Sequence, residues 1–444
     1  MNIALPVILI VLTLLLAPGH AQAAPETFDL PPDFFPIMPW DGHRGLPPLA
    51  DGSSVLKSIA DCNFTIAGFV QPSDLPECEK LGLKAIIAGP LDLPPWKGKW
   101  QGVTDEQIEA AMKSRIAEAG KSSAVLGYYL VDEPGAPRFP ALAKGVAAVK
   151  KHAPGKLAYI NLFPGYATIG APDQSQLGAE SFTGYLEQYV ATVKPQMLSY
   201  DDYMVLYSDN FQEPGQGAMY YRDLLEVRRV ALKHGVPFWN TVSSNRIRPY
   251  TVAPSPANLM FQAYTTLAAG GRGLAWYTYS DRGYGYAPVS ASGHLTETWQ
   301  YLRMVNAQVK TLGPLMMKLE STGVFFTEPP VEGMPLLPGR LIRTLKSQSS
   351  LKGYSQIQPP LMLGEFKSQD GRDYVMIVNL SLERSANVTF ETAGAARPAE
   401  VISAVDASAS PFDEKNGQWL APGQGVLLRL RNYSEVYPAP GKRG

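Results

Sequence analysis

Short apolar segments alternate with amphipathic segments from about residue 35 to about residue 320, and this alternation constrains the fold more than any other feature. The apolar segments have the length of strands, and the segments between them repeat apolar residues at helical spacing. The predicted strands are residues 35–40, 64–69, 84–88, 125–131, 157–163, 197–203, 237–242 and 273–279. Eight strands, each followed by a helix, predict an α/β fold in which a parallel sheet closes into a (β/α)8 TIM barrel.

After about residue 320 the apolar pattern changes from helical to alternating. Residues 361–366 and 374–380 are predicted strands, and Asp370-Gly371 between them is typical of a hairpin turn. Several further short strands follow, which predicts a small antiparallel β-sandwich. The predicted domains are a catalytic barrel over residues 24–320, the sandwich over residues 321–436 and a flexible tail over residues 437–444.

The composition is typical of a globular protein with a large core. Hydrophobic residues make up 45% and charged residues 18% of the 444 residues, which excludes a globally disordered chain. The 39 basic residues nearly balance the 40 acidic residues, and the formal net charge is −1. Because no sequence-wide positive field exists, we expect no nucleic-acid partner.

Residues 1–23 have the pattern of a signal peptide. An uncharged apolar run precedes Ala21-Gln22-Ala23, whose small residues fit a cleavage site before Ala24. An uncleaved anchor is the alternative, but about 15 apolar residues are short for a hydrocarbon core of about 30 Å. We therefore expect an exported protein, secreted or periplasmic, with no membrane contact after cleavage.

Cys62 and Cys78 are the two cysteines of the chain. In an exported protein they are candidates for a disulfide that closes a segment of about 15 residues. Two buried free thiols are the alternative, and the sequence spacing does not decide between them.

Two adjacent carboxylates, Asp132 and Glu133, end the fourth predicted strand, and Pro134 follows them. Reactive groups of a TIM barrel collect at the carboxyl ends of its strands. A neighbouring negative charge and partial burial raise the pKa of one acid, which keeps it protonated as a general acid requires. Capping of the next helix explains one carboxylate more readily than two. We therefore expect a catalytic role here.

A second acidic pair, Asp201 and Asp202, ends the sixth predicted strand. Glycoside hydrolysis needs an opposed carboxylate as nucleophile, base or electrostatic support. Because side chains alternate along a strand, the two cannot both point inward. We expect one of them to be catalytic, and an Asp that hydrogen-bonds loop backbone is the alternative.

Aromatic and polar residues at the other strand ends suit a sugar substrate. The C–H faces of a sugar stack on aromatic rings, and its hydroxyl groups need hydrogen bonds. The residues expected to bind substrate are Trp40, Asp41, His43, Asn161, Tyr200, Trp239, Asn240, Trp276 and Tyr279. This expectation depends on the barrel, because each aromatic residue alone is more often part of a core.

No motif predicts a cofactor or a metal. The G-x-S-x-G, H-E-x-x-H, P-loop and paired C-x-x-C motifs are absent. His152 and His234 fall at predicted helix ends, where the helix dipole favours positive charge. We therefore expect no cofactor and no multi-histidine metal site.

The strand-end motifs together resemble barrel glycoside hydrolases that carry a C-terminal β-sandwich. The motifs are Tyr128-Tyr129-Leu130-Val131-Asp132-Glu133-Pro134, Ala158-Tyr159-Ile160-Asn161-Leu162-Phe163-Pro164, Leu198-Ser199-Tyr200-Asp201 and Gly273-Leu274-Ala275-Trp276-Tyr277. Similarity to clan A glycosidases implies that Glu133 is the general acid/base. The nucleophile of that clan is a Glu ending strand 7, where this sequence has none.

Two other glycosidase patterns are similar in part. The adjacent Asp-Glu pair resembles N-acetylhexosaminidases that use the substrate's own acetamido group, which implies that Asp132 orients that group. Clans that pair carboxylates of strands 4 and 6 imply Asp201 or Asp202 as the partner of Glu133. Retaining, inverting and substrate-assisted mechanisms therefore stay open.

We thus expect an exported glycoside hydrolase whose substrate is an oligosaccharide or polysaccharide. Glu133 would be the general acid/base, assisted by Asp132 or by one of Asp201 and Asp202. The missing strand 7 Glu favours an alternative, a non-catalytic carbohydrate-binding protein on a degenerate barrel. A lyase or hydrolase of a non-sugar substrate with the same carboxylates is a weaker alternative.

Overall fold

The computed structural model describes residues 28–40, 48–89, 100, 102–168, 175–204, 216–247, 251–349 and 357–431. The predicted signal peptide and tail lie outside these ranges, as do Asp41 and His43. Within the ranges, none of the helices combines the length and the apolar character that a membrane crossing needs.

Eight parallel strands form the wall of a closed barrel. They are β1 (Ile37–Pro39), β2 (Ile66–Val70), β3 (Lys84–Ile87), β4 (Val125–Asp132), β5 (Leu157–Asn161), β6 (Leu198–Asp201), β7 (Phe238–Ser243) and β8 (Leu274–Tyr277). They pair in the orders β1-β8-β7-β6 and β2-β3-β4-β5. The Thr65 N–H donates to the Ile37 carbonyl (3.0 Å) and the Leu162 N–H to the Ser199 carbonyl (2.8 Å), which joins the two sheets at both edges. The predicted TIM barrel is confirmed.

Helices follow the barrel strands and surround them. They are α1 (Val55–Asp61), α2 (Leu75–Lys80), α3 (Asp105–Ala119), α4 (Phe139–His152), α5 (Phe182–Val193), α6 (Gln216–His234), α7 (Pro256–Ala268) and α8 (Glu297–Met316). A capping box begins α3, where the Thr104 hydroxyl accepts the Gln107 N–H and the Gln107 side chain accepts the Thr104 N–H. Ser255 and Asn258 form the same box at α7.

The alternation of side chains along the barrel strands creates two cores. Outward residues pack against the helices in one continuous cluster that includes Tyr200 and Trp276. Inward residues form a separate cluster that fills the barrel and is rich in aromatic rings, among them Phe69, Tyr129 and Trp239. The barrel interior is therefore packed, and only its end is free to form a site.

The C-terminal residues form two antiparallel sheets. The strands are β9 (Leu319–Phe326), β10 (Ile342–Gln348), β11 (Leu361–Ser368), β12 (Asp373–Asn379), β13 (Ala386–Thr392), β14 (Ala399–Ile402), β15 (Ala409–Pro411), β16 (Gln418–Leu420) and β17 (Gly425–Leu430). One sheet has the order β15-β14-β17-β12-β11-β9 and the other the order β10-β13-β16. Apolar side chains of both sheets share one core, which confirms the predicted sandwich. The hairpin between β11 and β12 turns at Gly371, with φ of 83°.

The larger sheet of the sandwich packs directly on α7. Residues 258–268 of this helix are all buried, because the barrel covers one side and β11, β12 and β17 cover the other. Glycines allow the close approach: a Cβ atom at Gly364 would clash with the Ala268 carbonyl, and one at Gly425 with the ring of Tyr264.

Cys62 and Cys78 are both buried and free, so the structure has the second of the two arrangements considered for them. Burial raises the pKa of the Cys78 thiol to about 12 and that of Cys62 well above its usual value. Both side chains therefore act as small apolar residues of the outer core.

Candidate functional site

A pocket of about 330 Å³ opens at the carboxyl ends of the barrel strands, where TIM barrels carry their active sites. Its lining residues are Trp40, Asp132, Glu133, Tyr166, Asp201, Tyr203, Met204, Ile247, Tyr277 and Tyr284. Trp40 connects the pocket to the inner core, because its ring packs edge to face on Phe69 with 4.8 Å between the ring centroids. Three carboxyl groups and four tyrosines thus surround one cavity.

Glu133 directly follows β4 in a left-handed conformation, with φ of 44°. Few residues other than glycine adopt it, and such residues cluster at functional sites. The Glu133 N–H donates to the Asn161 carbonyl (2.9 Å), so pairing with β5 fixes this backbone. The carboxyl group of Glu133 lies beside that of Asp201, close enough for a hydrogen bond to raise the pKa of Glu133. Since ionised carboxylates only accept hydrogen bonds, such a bond requires a proton on one of the two groups.

The surroundings of Glu133 favour its protonated form at neutral pH. Burial, the negative charge of Asp201 and the hydrogen bond between the two groups raise the pKa of Glu133 to about 9. Burial and the charge of Asp132 raise the pKa of Asp201 well above its usual value, and hydrogen bonds from Tyr203 and Asn161 act in the opposite direction. The pair therefore titrates as a unit and offers an acidic proton under conditions where free carboxyl groups are ionised.

Asn161 positions the carboxylates on either side of it. Its Nδ2 donates to Asp132 Oδ1 (3.2 Å) and to Asp201 Oδ1 (3.1 Å). Its Oδ1 accepts the Ser199 hydroxyl (2.8 Å), which in turn lies 2.9 Å from the Tyr159 hydroxyl. Because Asn161 is 1% exposed, this network is enclosed in the protein. It fixes the amide orientation and keeps both carboxylates at the pocket floor.

Two tyrosines form one wall of the pocket. The rings of Tyr203 and Tyr277 stack with 5.0 Å between their centroids and an interplanar angle of 27°. Tyr203 also lies close enough to Asp201 to lower the pKa of that carboxyl group. The pocket thus combines a flat aromatic surface with carboxyl groups, and such a surface can stack on the C–H face of a ring.

Asp202 and Tyr200 lie on the outer side of β6, away from the pocket. The carboxyl group of Asp202 faces Asp223 of α6, and Tyr200 belongs to the outer core. Side chains alternate along the strand, so Ser199 and Asp201 point inward and Tyr200 points outward. Asp201 is thus the member of the predicted acidic pair that lines the pocket.

Two predicted substrate-binding residues of β7 do not line the pocket either. Trp239 lies in the inner core, with its ring centroid 5.8 Å from that of Tyr159. Asn240 points outward and donates from Nδ2 to the Thr266 hydroxyl of α7 (2.9 Å). The first side chain is deeper in the barrel than a substrate reaches, and the second is on the opposite side of the strand.

The predicted residues of strand β8 and its following segment also pack on helices. Trp276 donates from Nε1 to Asn306 Oδ1 of α8 (2.9 Å). The Tyr279 hydroxyl lies 2.7 Å from the Ser58 hydroxyl and accepts the Trp299 Nε1–H (3.0 Å). Neither side chain reaches the pocket, whereas the predicted Trp40 lines it and Asn161 lies at its floor.

Six of the lining residues are not among the residues expected above to bind or cleave a substrate. Tyr203 and Tyr277 carry a usable signal, because each stands at the alternation position that points inward, next to an outward residue. The others lie in βα loops, where no periodicity marks them: Tyr166, Met204, Ile247 and Tyr284.

Strand β7 contributes no carboxyl group at its end, where the chain continues with the buried residues Ser244 and Asn245. Among the lining residues of the pocket, the acids come from the ends of β4 and β6 alone. In the described part of the chain, no three His, Cys, Asp or Glu side chains are grouped to hold a metal ion.

The sequence matches no protein-family model and no curated protein. Solved structures of glycoside hydrolases are similar in fold. One glycoside hydrolase is 12% identical and covers 90% of this chain and 93% of its own length, with a TM-score of 0.51. At this identity the similarity concerns the fold, and it confirms at that level the resemblance to barrel glycoside hydrolases.

Two further solved structures align over a smaller part. The β-galactosidase from the psychrophilic Marinomonas ef1 is 10% identical, with 65% of this chain and 63% of that chain covered and a TM-score of 0.48. The Ruminococcus gnavus β-glucuronidase is 10% identical, with 61% and 49% covered and a TM-score of 0.42. This chain therefore spans less than two thirds of the length of either enzyme.

Proposed function

We propose that the protein is a glycoside hydrolase in which Glu133 is the general acid and Asp201 the assisting carboxylate. The observation that carries the proposal is the placement of the Glu133 and Asp201 carboxyl groups in one pocket with tyrosine walls. The raised pKa of Glu133 supports it. The position of this pocket at the carboxyl ends of the barrel strands supports a site for a substrate rather than a purely structural role of the two carboxyl groups. The solved glycoside hydrolase of similar fold supports the same reaction class.

The chemistry follows from the protonation of the pair. A glycosidic oxygen placed beside Glu133 replaces Asp201 as the acceptor of the proton, and the bond from the anomeric carbon to that oxygen breaks. The positive charge that develops on the sugar is stabilised by the Asp201 carboxylate. The attacking group at the anomeric carbon is a carboxylate, a water molecule or the substrate's own acetamido oxygen.

Asp132 has a separate role in the proposal. It is anchored by Asn161 and lies next to Glu133 in the chain, which suits a group that orients a substituent beside the cleaved bond. A preference for N-acetylated sugars would assign the orientation of the acetamido group to Asp132. Equal rates on sugars without that group would instead assign to Asp201 the assistance of the attack on the anomeric carbon.

The first experiment compares the wild type with Glu133→Gln on aryl glycosides that include N-acetylated sugars. We expect Glu133→Gln to fold normally and to lose about 10²–10⁴-fold of kcat/KM. Activated leaving groups need no protonation, so the loss on them should be much smaller. Glu106→Gln, a change at an exposed carboxylate of α3, is the matched control. Full activity of Glu133→Gln on poor leaving groups would contradict the proposal.

A non-catalytic carbohydrate-binding protein is the second candidate, favoured by the missing carboxyl group at β7. It predicts glycan binding that Glu133→Gln leaves unchanged, and no turnover of any glycan by the wild type. Calorimetric titration with oligosaccharides, run beside the hydrolysis assay, separates the two candidates.

We also propose that residues 1–23 direct export and that the mature chain starts at Ala24. The apolar run and the small residues before Ala24 support this. Mass spectrometry of the secreted or periplasmic protein after expression of the full chain tests it. An intact N-terminus would contradict it.

A further inference from the structure

A second pair of carboxyl groups lies behind β6, on the side away from the pocket. Asp202 directly follows β6 and is 0% exposed, and Asp223 of α6 is 5% exposed. The two carboxyl groups face each other, close enough for each to act on the pKa of the other as a hydrogen-bond partner. Among the described residues, no lysine or arginine forms an ion pair with either group.

The surrounding hydrogen bonds indicate which oxygen carries the proton. Asp223 Oδ2 accepts the Gly165 N–H (2.7 Å), and Asp202 Oδ1 accepts the Met204 N–H (2.8 Å). Asp202 Oδ2 is buried and meets no N–H or hydroxyl donor among the described residues. A proton on this oxygen, donated to Asp223, satisfies both carboxyl groups at once.

The two backbone donors belong to two different loops of the pocket. Gly165 begins a short 3₁₀ helix that carries the lining residue Tyr166, and Met204 is itself a lining residue. A Cβ atom at Gly165 would clash with the Asp223 carboxyl group, so this contact requires glycine. Asp202 also follows Asp201 directly in the chain.

We propose that Asp202 and Asp223 are positioning residues whose shared proton ties the loops of Tyr166 and Met204 to α6 and fixes Asp201 from behind. Their effect on catalysis rests on the proposed glycosidase function, whereas the shared proton does not. Neither group touches the pocket, and the loops they hold do.

The titration of the pair follows from its surroundings. Burial raises the pKa of Asp202 well above its usual value, and the charge of Asp223 adds to this. Burial raises the pKa of Asp223 to about 7, against hydrogen bonds from Asp202 and Gly165. The other groups that act on the pair are Asp201 and Tyr200 from β6 and Tyr220 and Glu226 from α6. None of them carries a positive charge.

The test compares Asp202→Asn, whose amide donates where the proton lies, with Asp202→Ala, which removes the donor. We expect Asp202→Ala to raise KM about tenfold or more with a smaller change in kcat, because the loops move while Glu133 keeps its proton. Asp202→Asn should restore most of the loss. Equal kinetics for both variants would overturn the positioning role. If Asp202→Ala does not fold, Gly165→Ala displaces the same loop with both carboxyl groups intact.

A second readout needs no enzymatic activity. Unfolded Asp residues release their protons above about pH 4, whereas the folded pair retains a proton to about pH 7 or beyond. The wild type therefore loses stability as the pH rises through this range, and Asp202→Asn should lose less. The same dependence of Tm on pH in both proteins would overturn the shared proton. Wild type without any glycosidase activity would instead end the proposed function and leave this result standing.

Discussion

The two sides of strand β6 carry the same chemical arrangement in two settings. Asp201 shares a proton with Glu133 on the inner side, and the next residue, Asp202, shares one with Asp223 on the outer side. The inner pair opens into a pocket of about 330 Å³, whereas the outer pair is enclosed by α6. A proton between two carboxyl groups can be transferred to a substrate that reaches it. Where no substrate can reach it, the proton only holds the two side chains and their loops together. Access, rather than residue type, separates the two roles.

The largest expected difference between the pairs is in turnover. Glu133→Gln should lower kcat/KM about 10³-fold, because the leaving group loses its acid. Asp223→Asn keeps an acceptor for the Gly165 N–H and should lower it about tenfold or less. Steady-state kinetics of both variants on one aryl glycoside with a poor leaving group measures the contrast. Equal losses would mean that the outer pair takes part in the chemistry itself.

Asn161→Ala tests how the inner pair is held. The substitution removes the hydrogen bonds to Asp132 and Asp201, and we expect kcat to fall about 10²-fold because both carboxylates lose their position. Loss of the Asn161 hydrogen bond also raises the pKa of Asp201 further, so the acidic limb of the pH–activity profile should move to higher pH. If the acidic limb of the variant's pH–activity profile stays at the wild-type pH, Asp201 does not need to be ionised for activity.

The dependence of stability on pH distinguishes the pairs without an assay of turnover. The folded-state pKa of Glu133 is raised from 4.5 to about 9, so this group costs stability progressively as the pH rises between these values. Glu133→Gln should therefore flatten the fall of Tm up to about pH 9, whereas Asp223→Asn should flatten it mainly below about pH 7. Thermal unfolding followed by circular dichroism across this range gives both curves. If Tm depends on pH in the same way in both variants, the two carboxyl pairs do not differ in the pH range over which they titrate.

The smallest expected effect concerns the tyrosine wall. Tyr203→Phe removes one hydrogen bond to Asp201, which is worth about 1–2 kcal/mol, and should lower kcat about tenfold or less. Tyr277→Phe keeps the stacked ring and is the matched control. A larger loss of kcat in Tyr277→Phe than in Tyr203→Phe would show that the hydroxyl of Tyr277, rather than that of Tyr203, assists catalysis.

Local periodicity was sufficient to predict the barrel, the sandwich and part of the site. Trp40, Asp132, Glu133, Asn161 and Asp201 all stand where a predicted strand ends, and a TIM barrel brings such positions together. These residues lie close together because of the barrel topology, and the alternation of strands and helices predicts that topology.

The direction of each side chain needed information that the sequence pattern does not contain. Tyr200 and Trp276 are one position away from inward residues, and a shift of one residue reverses every direction along a strand. The contact of Asp223 with Asp202 was harder to predict, because Asp223 lies in a helix and reaches Asp202 only through the packing of α6 on β6. Contacts between distant segments depend on how the elements pack, and no local motif predicts them.

Helix α7 packs against both domains and makes the stability of the barrel depend on the sandwich. In a free-standing barrel a helix of the outer ring keeps a face for water, whereas residues 258–268 keep none. A chain cut before the sandwich would therefore expose the Leu, Met, Phe and Ala side chains of this helix, which follows β7 of the barrel. We therefore expect barrel and sandwich to unfold together in one cooperative thermal transition.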